Sequence, residues 1–285
     1  MTLGRLTSAL APRLPVQAHR SALAIAGVAA FIAYALWLSA AVPMESALWI
    51  SLAILAASLI SSIAGFAFSA ICGAMLFHLI DDPVRAVQIM MVCSVGGQSL
   101  MVWALRRQIP WRALAVFLSG AAIGLPLGIL VLLHARPALY AQVIGVGIVL
   151  YALVMLRRRP IVVRRQNVLF DVMVGFLGGV TGGAAAFPGM FVTIWCGFKG
   201  WPKEKQRALF QPFILIVQLA AIAIMALPGL VSEGRPTFEF AGSVYLPAML
   251  LGSILGMACF HRLSDRQFSL AVNLLLVVSG VSFLV

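Results

Sequence analysis

The sequence predicts an all-α polytopic membrane protein: an inverted repeat of a broken helical hairpin plus three transmembrane helices, with one extra N-terminal helix. Three observations lead there: an apolar excess, two segments of the wrong length, and the placement of the basic residues. Of 285 residues, 62% are apolar and 10% charged, with a mean hydropathy of +1.06. A soluble domain cannot hide that much apolar surface, so lipid must solvate it. The net charge of +12 comes in short basic clusters between apolar runs. That is the pattern of cytoplasmic loops, not of a nucleic-acid surface.

Taken in order, the chain opens with a basic stretch, residues 1–20, and an apolar run over 21–42. A secretory signal cleaved near Ser39-Ala40-Ala41 is the rival reading, but its apolar core would exceed the roughly 7–15 residues of such signals. An uncleaved first helix is therefore expected. Further apolar runs cover 47–80, 87–105, 113–133, 138–156, 168–198, 208–228, 243–260 and 267–285. Most have the length of about 20 residues that crosses the hydrocarbon core once. The runs 47–80 and 168–198 are 34 and 31 residues long, too long for one ordinary crossing and short for two. Each contains a stretch unsuited to a regular helix, "SSIAGFAFSA" at 61–70 and "FLGGVTGGAAAFPGM" at 176–190.

Charge decides what these two runs do. If each crosses once, the 20 Lys and Arg residues split 11 to 9 across the membrane. If each is a hairpin that returns to its own side, they split 17 to 3, leaving only Arg85, Arg136 and Arg235 outside. The second distribution follows the positive-inside rule and the first does not. It puts the N-terminus in the cytoplasm and the C-terminus outside. The domain plan is then 1–45 for the N-terminus and extra helix, 46–160 for the first repeat and 161–285 for the second. With an odd number of crossings per repeat, the second copy enters from the opposite face.

Sequence echoes support the duplication. A proline turn and an Arg-Ala pair open the helix after each hairpin, "DDPVRAVQ" at 81–88 and "WPKEKQRALFQ" at 201–211. Asp82 and Pro83 suit an N-cap and a first helical residue. Each of these helices carries a central glutamine, Gln98 or Gln218, and the next has a GxxxG pair, Gly124/Gly128 or Gly252/Gly256, ending at His134 or His261. GxxxG spacing alone means close helix packing; its recurrence in the same order argues for a repeat.

On these paired glycine-rich breaks, proline-led helices and duplicated plan, residues 46–285 resemble the TauE/SafE family of bacterial membrane proteins. The resemblance implies transport of small sulfur-containing or organic anions across the inner membrane, in either direction. The first break departs from the usual glycine-rich pattern, because "SIAGFAFSAICG" inserts Phe66 and Phe68 between Gly65 and Gly73. Those rings would narrow the site or pack against an organic group.

Unpaired backbone groups inside lipid cost several kcal/mol, so broken helices persist where protein or a wet cavity satisfies them. Two opposed breaks would present freed amides to a solute near the midplane. The second arm of each hairpin is expected to begin near Phe66–Ser69 and near Ala184–Phe187, where helix N-termini favour an anion. No Lys, Arg, Asp or Glu falls mid-membrane in this topology, so the anion would be held by amides and hydroxyls. The candidate substrate-binding residues are Gly65, Phe66, Ser69, Gln98, Thr181, Gly182, Gly183, Ala184 and Gln218. Gln98 and Gln218 lead, because a midplane amide must find partners and can donate to an oxyanion. Interhelical hydrogen bonding is their plainer role, and bonding back to their own helix is that of Ser61, Ser62, Ser69 and Thr181. Pro212 is expected to bend its helix, with Gln211 filling the gap. Asp171 would complement a helix N-terminus. His78, beside Asp81 and Asp82, is the candidate for proton coupling.

Cys72, Cys93, Cys196 and Cys259 lie inside apolar runs without metal-ligand spacing and read as small buried hydrophobes. No cofactor, metal or nucleic-acid partner is expected; the partners are a small anionic solute and the bilayer, with homo-oligomerisation left open. An intramembrane enzyme would need a nucleophile–base pair or metal ligands, and the four histidines sit at ends and loops. A carboxylate transporter and a non-transporting scaffold or sensor subunit are the alternatives.

Overall fold

The computed structural model describes residues 44–64, 68–135, 167–227 and 240–259, with Phe238 and a few positions between 146 and 153. The expected helix at 21–42, the one at 267–285 and nearly all of that at 138–156 lie outside the described residues, as do Gly65, Phe66 and His261. Among the described residues the elements are α-helical apart from one 3₁₀ turn: α1 (Met44–Ala64), α2 (Phe68–Leu79), α3 (Pro83–Leu105), α4 (Trp111–His134), α5 (Val168–Ala185), α6 (Gly189–Phe198), α7 (Lys203–Ala226), the turn Phe240–Tyr245 and α8 (Leu246–Cys259). The all-helical class expected from the sequence is the class observed. Among the described residues four helices are long and apolar enough to cross a membrane: α3, α4, α5 and α7, the last counted from Glu204.

Local sequence sets the ends. Asp82 caps α3, its carboxylate accepting from the Val84 amide at 2.9 Å, with Pro83 opening the helix as expected. Asn167 caps α5 by accepting from the Leu169 amide at 3.0 Å. α6 closes through Lys199, whose amide bonds the Trp195 carbonyl, and Gly200 follows at φ 62°, a left-handed position that glycine fills without a Cβ penalty. Pro126 and Pro212 lie inside α4 and α7.

The first overlong run holds two described helices, α1 ending at Ala64 and α2 starting at Phe68, and the second is interrupted at Ala186–Pro188. The second doubles back. Asp171, in the first turn of α5, accepts from the Trp195 indole at 2.6 Å and from the Lys199 ammonium at 2.7 Å, both from the far end of α6. The glycines are not what breaks this run. Gly175, Gly178, Gly179, Gly182 and Gly183 are all helical and buried, and the turn is made by Ala186, left-handed at φ 53°, ahead of Pro188. Helix α6 therefore starts at Gly189, beyond the expected Ala184–Phe187.

Glycine instead brings helices together. A Cβ on Gly120, Gly124 or Gly128 of α4 would strike the carbonyls of Val172, Phe176 or Val180 on α5. Reciprocally, one on Gly179 or Gly183 would come within 2.6 Å of the Ala121 or Leu125 carbonyl. The interlocking rows let the two backbones touch, as small-residue stripes do in lipid. A second such contact joins α8 to α1, where Gly252 and Gly256 face the Leu55 and Leu59 carbonyls and the Ser58 and Ser62 hydroxyls. Between these pairs α3 packs on α7. The core holds Met90, Met91, Phe117, Leu209 and Phe213, with the two phenyl rings edge to face at 6.4 Å.

Candidate functional site

At the second break the freed backbone is satisfied internally. The Ala186 and Phe187 amides both return to the Thr181 carbonyl. The Ala186 carbonyl, turned out of the helix by the left-handed residue, accepts from Gln218 Nε2 of α7 at 3.1 Å. Only the amide nitrogen can donate, so this bond orients Gln218 and leaves its Oε1 buried without a partner. Thr181 bonds back to the Leu177 and Gly178 carbonyls. Gly182 is pressed between Val217 and Pro188, and Gly183 faces α4. Ala184 is buried with them. The space around this break is filled by protein, although the first turn of α6 has no side-chain cap.

A cavity lies beside the first break. Ser61 and Ser62 at the end of α1, Phe68 at the start of α2, Ser94 and Gln98 of α3, and Ser253 of α8 line a cavity of about 50 Å³. Space for one water is about 10–15 Å³, so the cavity holds a few waters or one small ion. Ser61 and Ser62 donate to the Ser58 and Leu59 carbonyls at 3.2 and 2.9 Å, and Ser253 leans on the Met249 sulfur at 3.5 Å. Gln98 is 8% exposed and its Oε1 has no partner. No charged residue lines this space among the described residues. Ser69, one residue beyond Phe68, is buried in α2 without reaching the lining.

The structure thus separates the sequence-predicted residues. Gln98 lines the cavity with Ser61, Ser62 and Phe68. Gln218, Thr181, Gly182, Gly183 and Ala184 surround the second break. Ser94 and Ser253 complete the open cavity and were not picked out from sequence, because lone serines in apolar runs carry no spacing signal.

The two ends of the bundle differ. Trp111 and Arg112, opening α4, share a groove with Trp201 and Lys205, so the 106–112 and 199–207 basic loops lie at one end. Lys199 is there too, 6% exposed, paired with Asp171 and within 6 Å of the Phe117, Trp195 and Trp201 rings. Sequence reasoning assigned Asp171 only to a helix terminus; pairing it with Lys199 needs the return of α6 along α5. Elsewhere the 3₁₀ turn packs on the start of α3, Gly242 against Ile89 and the Tyr245 hydroxyl within electrostatic reach of Arg85. Had each overlong run crossed once, the 106–112 and 199–207 loops would lie at opposite ends. His78 is exposed at the end of α2, near Asp81 and Asp82.

The family model described as sulfite exporter TauE/SafE matches residues 50–283. The chain belongs to this family. Neither a curated protein nor a solved structure matches it. Membership makes it a multi-pass membrane protein of a transporter family, not of an enzyme family. Within this TauE/SafE member no group of three His, Cys, Asp or Glu able to hold a metal occurs among the described residues. Cys72, Cys93 and Cys196 are free and buried.

Proposed function

We propose that this TauE/SafE member carries small sulfur-containing anions, sulfite or organosulfonates, across the bacterial inner membrane, exposing a site between broken helices to each side in turn. The observation that carries this reading is the cavity at the first break, in a chain of the sulfite exporter family: Leu100, Met101 and Met249 give it apolar walls, serine hydroxyls and the Gln98 amide give it polar groups, Gln98 Oε1 has no partner, and no charged residue lines it among the described residues. A buried amide without a partner is costly in lipid, and a ligand that fills the cavity removes that cost. An uncharged cradle suits a solute that must also leave, because it holds an anion without a fixed counter-charge.

The repeat assignment, 46–160 and 161–285, belongs to the same proposal. Its support is the exchange of partners: α4 of the first half packs on the hairpin arm α5 of the second, and α8 of the second on the arm α1 of the first. An inverted repeat relates such contacts by a two-fold axis in the membrane plane. The positive-inside count favours the basic-loop end as cytoplasmic.

The test is flux of labelled sulfite and of a short alkanesulfonate into vesicles holding the purified protein. Saturable flux that each unlabelled anion competes away is the expected result. Uptake of carboxylates alone would replace the sulfur assignment, and no flux of any anion would favour a scaffold or sensor.

A further inference from the structure

The hydrogen-bond polarity of the open cavity bears on the protonation state of its ligand. Three lining hydroxyls have already committed their protons: Ser61 and Ser62 to carbonyls of α1, and Ser253 toward the Met249 sulfur. What they turn to a ligand is lone pairs. Gln98 adds one acceptor, its buried Oε1, and one N–H donor group; the Ser94 hydroxyl is a second donor. Among the described residues no Lys, Arg or His lines the space, nor any Asp or Glu. Such a cavity can serve the oxygens of one negative charge through two donors, while its acceptors require a hydrogen on the ligand. The cost of bringing an ion out of water rises with the square of its charge, and no counter-charge here offsets it.

We propose, building on the assignment of this cavity to a sulfur oxyanion, that the form bound is the protonated monoanion, hydrogensulfite, and not the sulfite dianion. The ligand's proton faces the serine and Gln98 acceptors, and its remaining oxygens face the Gln98 amide N–H and Ser94. Binding then falls as pH rises through the last ionisation of sulfite, because the bound species disappears from solution. A permanently monoanionic sulfonate has no such proton to lose. Cys93 of α3 is the titratable side chain in the lining; its ionisation would act on both ligands alike, so their comparison isolates the ligand's own proton.

The experiment measures binding of sulfite and of methanesulfonate to the purified full-length protein by calorimetry, from mildly acidic to mildly alkaline pH. The expected result is an apparent sulfite affinity that drops about tenfold per pH unit on the alkaline side, with methanesulfonate binding weaker and flat. Sulfite affinity that is flat, that rises with pH, or that falls in parallel with methanesulfonate overturns the protonation inference and leaves the transporter reading standing. Failure of both anions to bind at every pH overturns the assignment of the cavity itself, and this inference with it.

Discussion

At the scale of single residues, the two glutamines at matching places of the proposed repeat differ in their surroundings. Gln218 is fully buried and its amide nitrogen satisfies the carbonyl that Ala186 turns out of its helix. Gln98 lines the cavity at the first break, with its Oε1 buried and without a partner. Replacing Gln218 by Leu leaves a buried carbonyl unpaired, which costs about 1–3 kcal/mol, and should lower the thermal unfolding midpoint measurably. Replacing Gln98 by Leu removes an amide without a partner, so the midpoint should hold or rise while anion flux falls by about tenfold or more, the effect of losing roughly 1.4 kcal/mol or more of binding. Unfolding curves and vesicle flux on both variants check the contrast; equal destabilisation by the two would show that Gln98 is structural as well. That both amides would be buried was legible in the sequence, because each falls in an apolar run. Which of them binds protein was not, since that depends on one left-handed residue, Ala186, 32 positions away from Gln218.

Helices show the same division between what spacing reveals and what only packing decides. Glycine in a membrane helix serves either to break it or to admit a neighbour, and composition does not distinguish the two. The stretch "FLGGVTGGAAAFPGM" reads as a break by its glycine content. Yet Gly175, Gly179 and Gly183 recur every four residues on one face and meet the Phe117, Ala121 and Leu125 carbonyls of α4, while Gly120, Gly124 and Gly128 of α4 meet the Val172, Phe176 and Val180 carbonyls of α5. Gly124→Leu should therefore separate the two helices and abolish monodisperse, folded protein, whereas Gly197→Ala, with nothing near its added Cβ, should be neutral or stabilise by up to about 1 kcal/mol. Size-exclusion profiles of the two variants decide between packing and breaking. The hairpin that follows is tied by Asp171 and Lys199. Asp171→Asn strands a buried ammonium and should cost about 3 kcal/mol. Asp171→Asn combined with Lys199→Met should recover most of that loss in thermal unfolding, because the cost lies in the unpaired charge.

Across the whole molecule, the hairpin reading of two overlong apolar runs organises everything else, and it came from charge alone. Hydropathy cannot tell a long crossing from a re-entrant pair, because both bury the same residues in lipid; basic residues can, because their loops sort to one side. The fold reports on this independently, since it brings Trp111 and Arg112 beside Trp201 and Lys205 and sets the turn before α8 against the start of α3. Single cysteines at four exposed positions, introduced into a cysteine-free background, turn the arrangement into an accessibility pattern. Arg107→Cys and Lys205→Cys should resist an impermeant maleimide in intact cells and react once the membrane is opened. Asp81→Cys and Ser243→Cys should react in intact cells. The pairing and the polarity are separate claims here. Labelling that reverses all four positions together would keep the fold and turn the protein over, moving the basic end to the outside against the positive-inside count. Labelling that puts Arg107 and Lys205 on opposite faces would break the hairpins, and a cavity at the first break would then no longer lie between two halves able to expose it to either side.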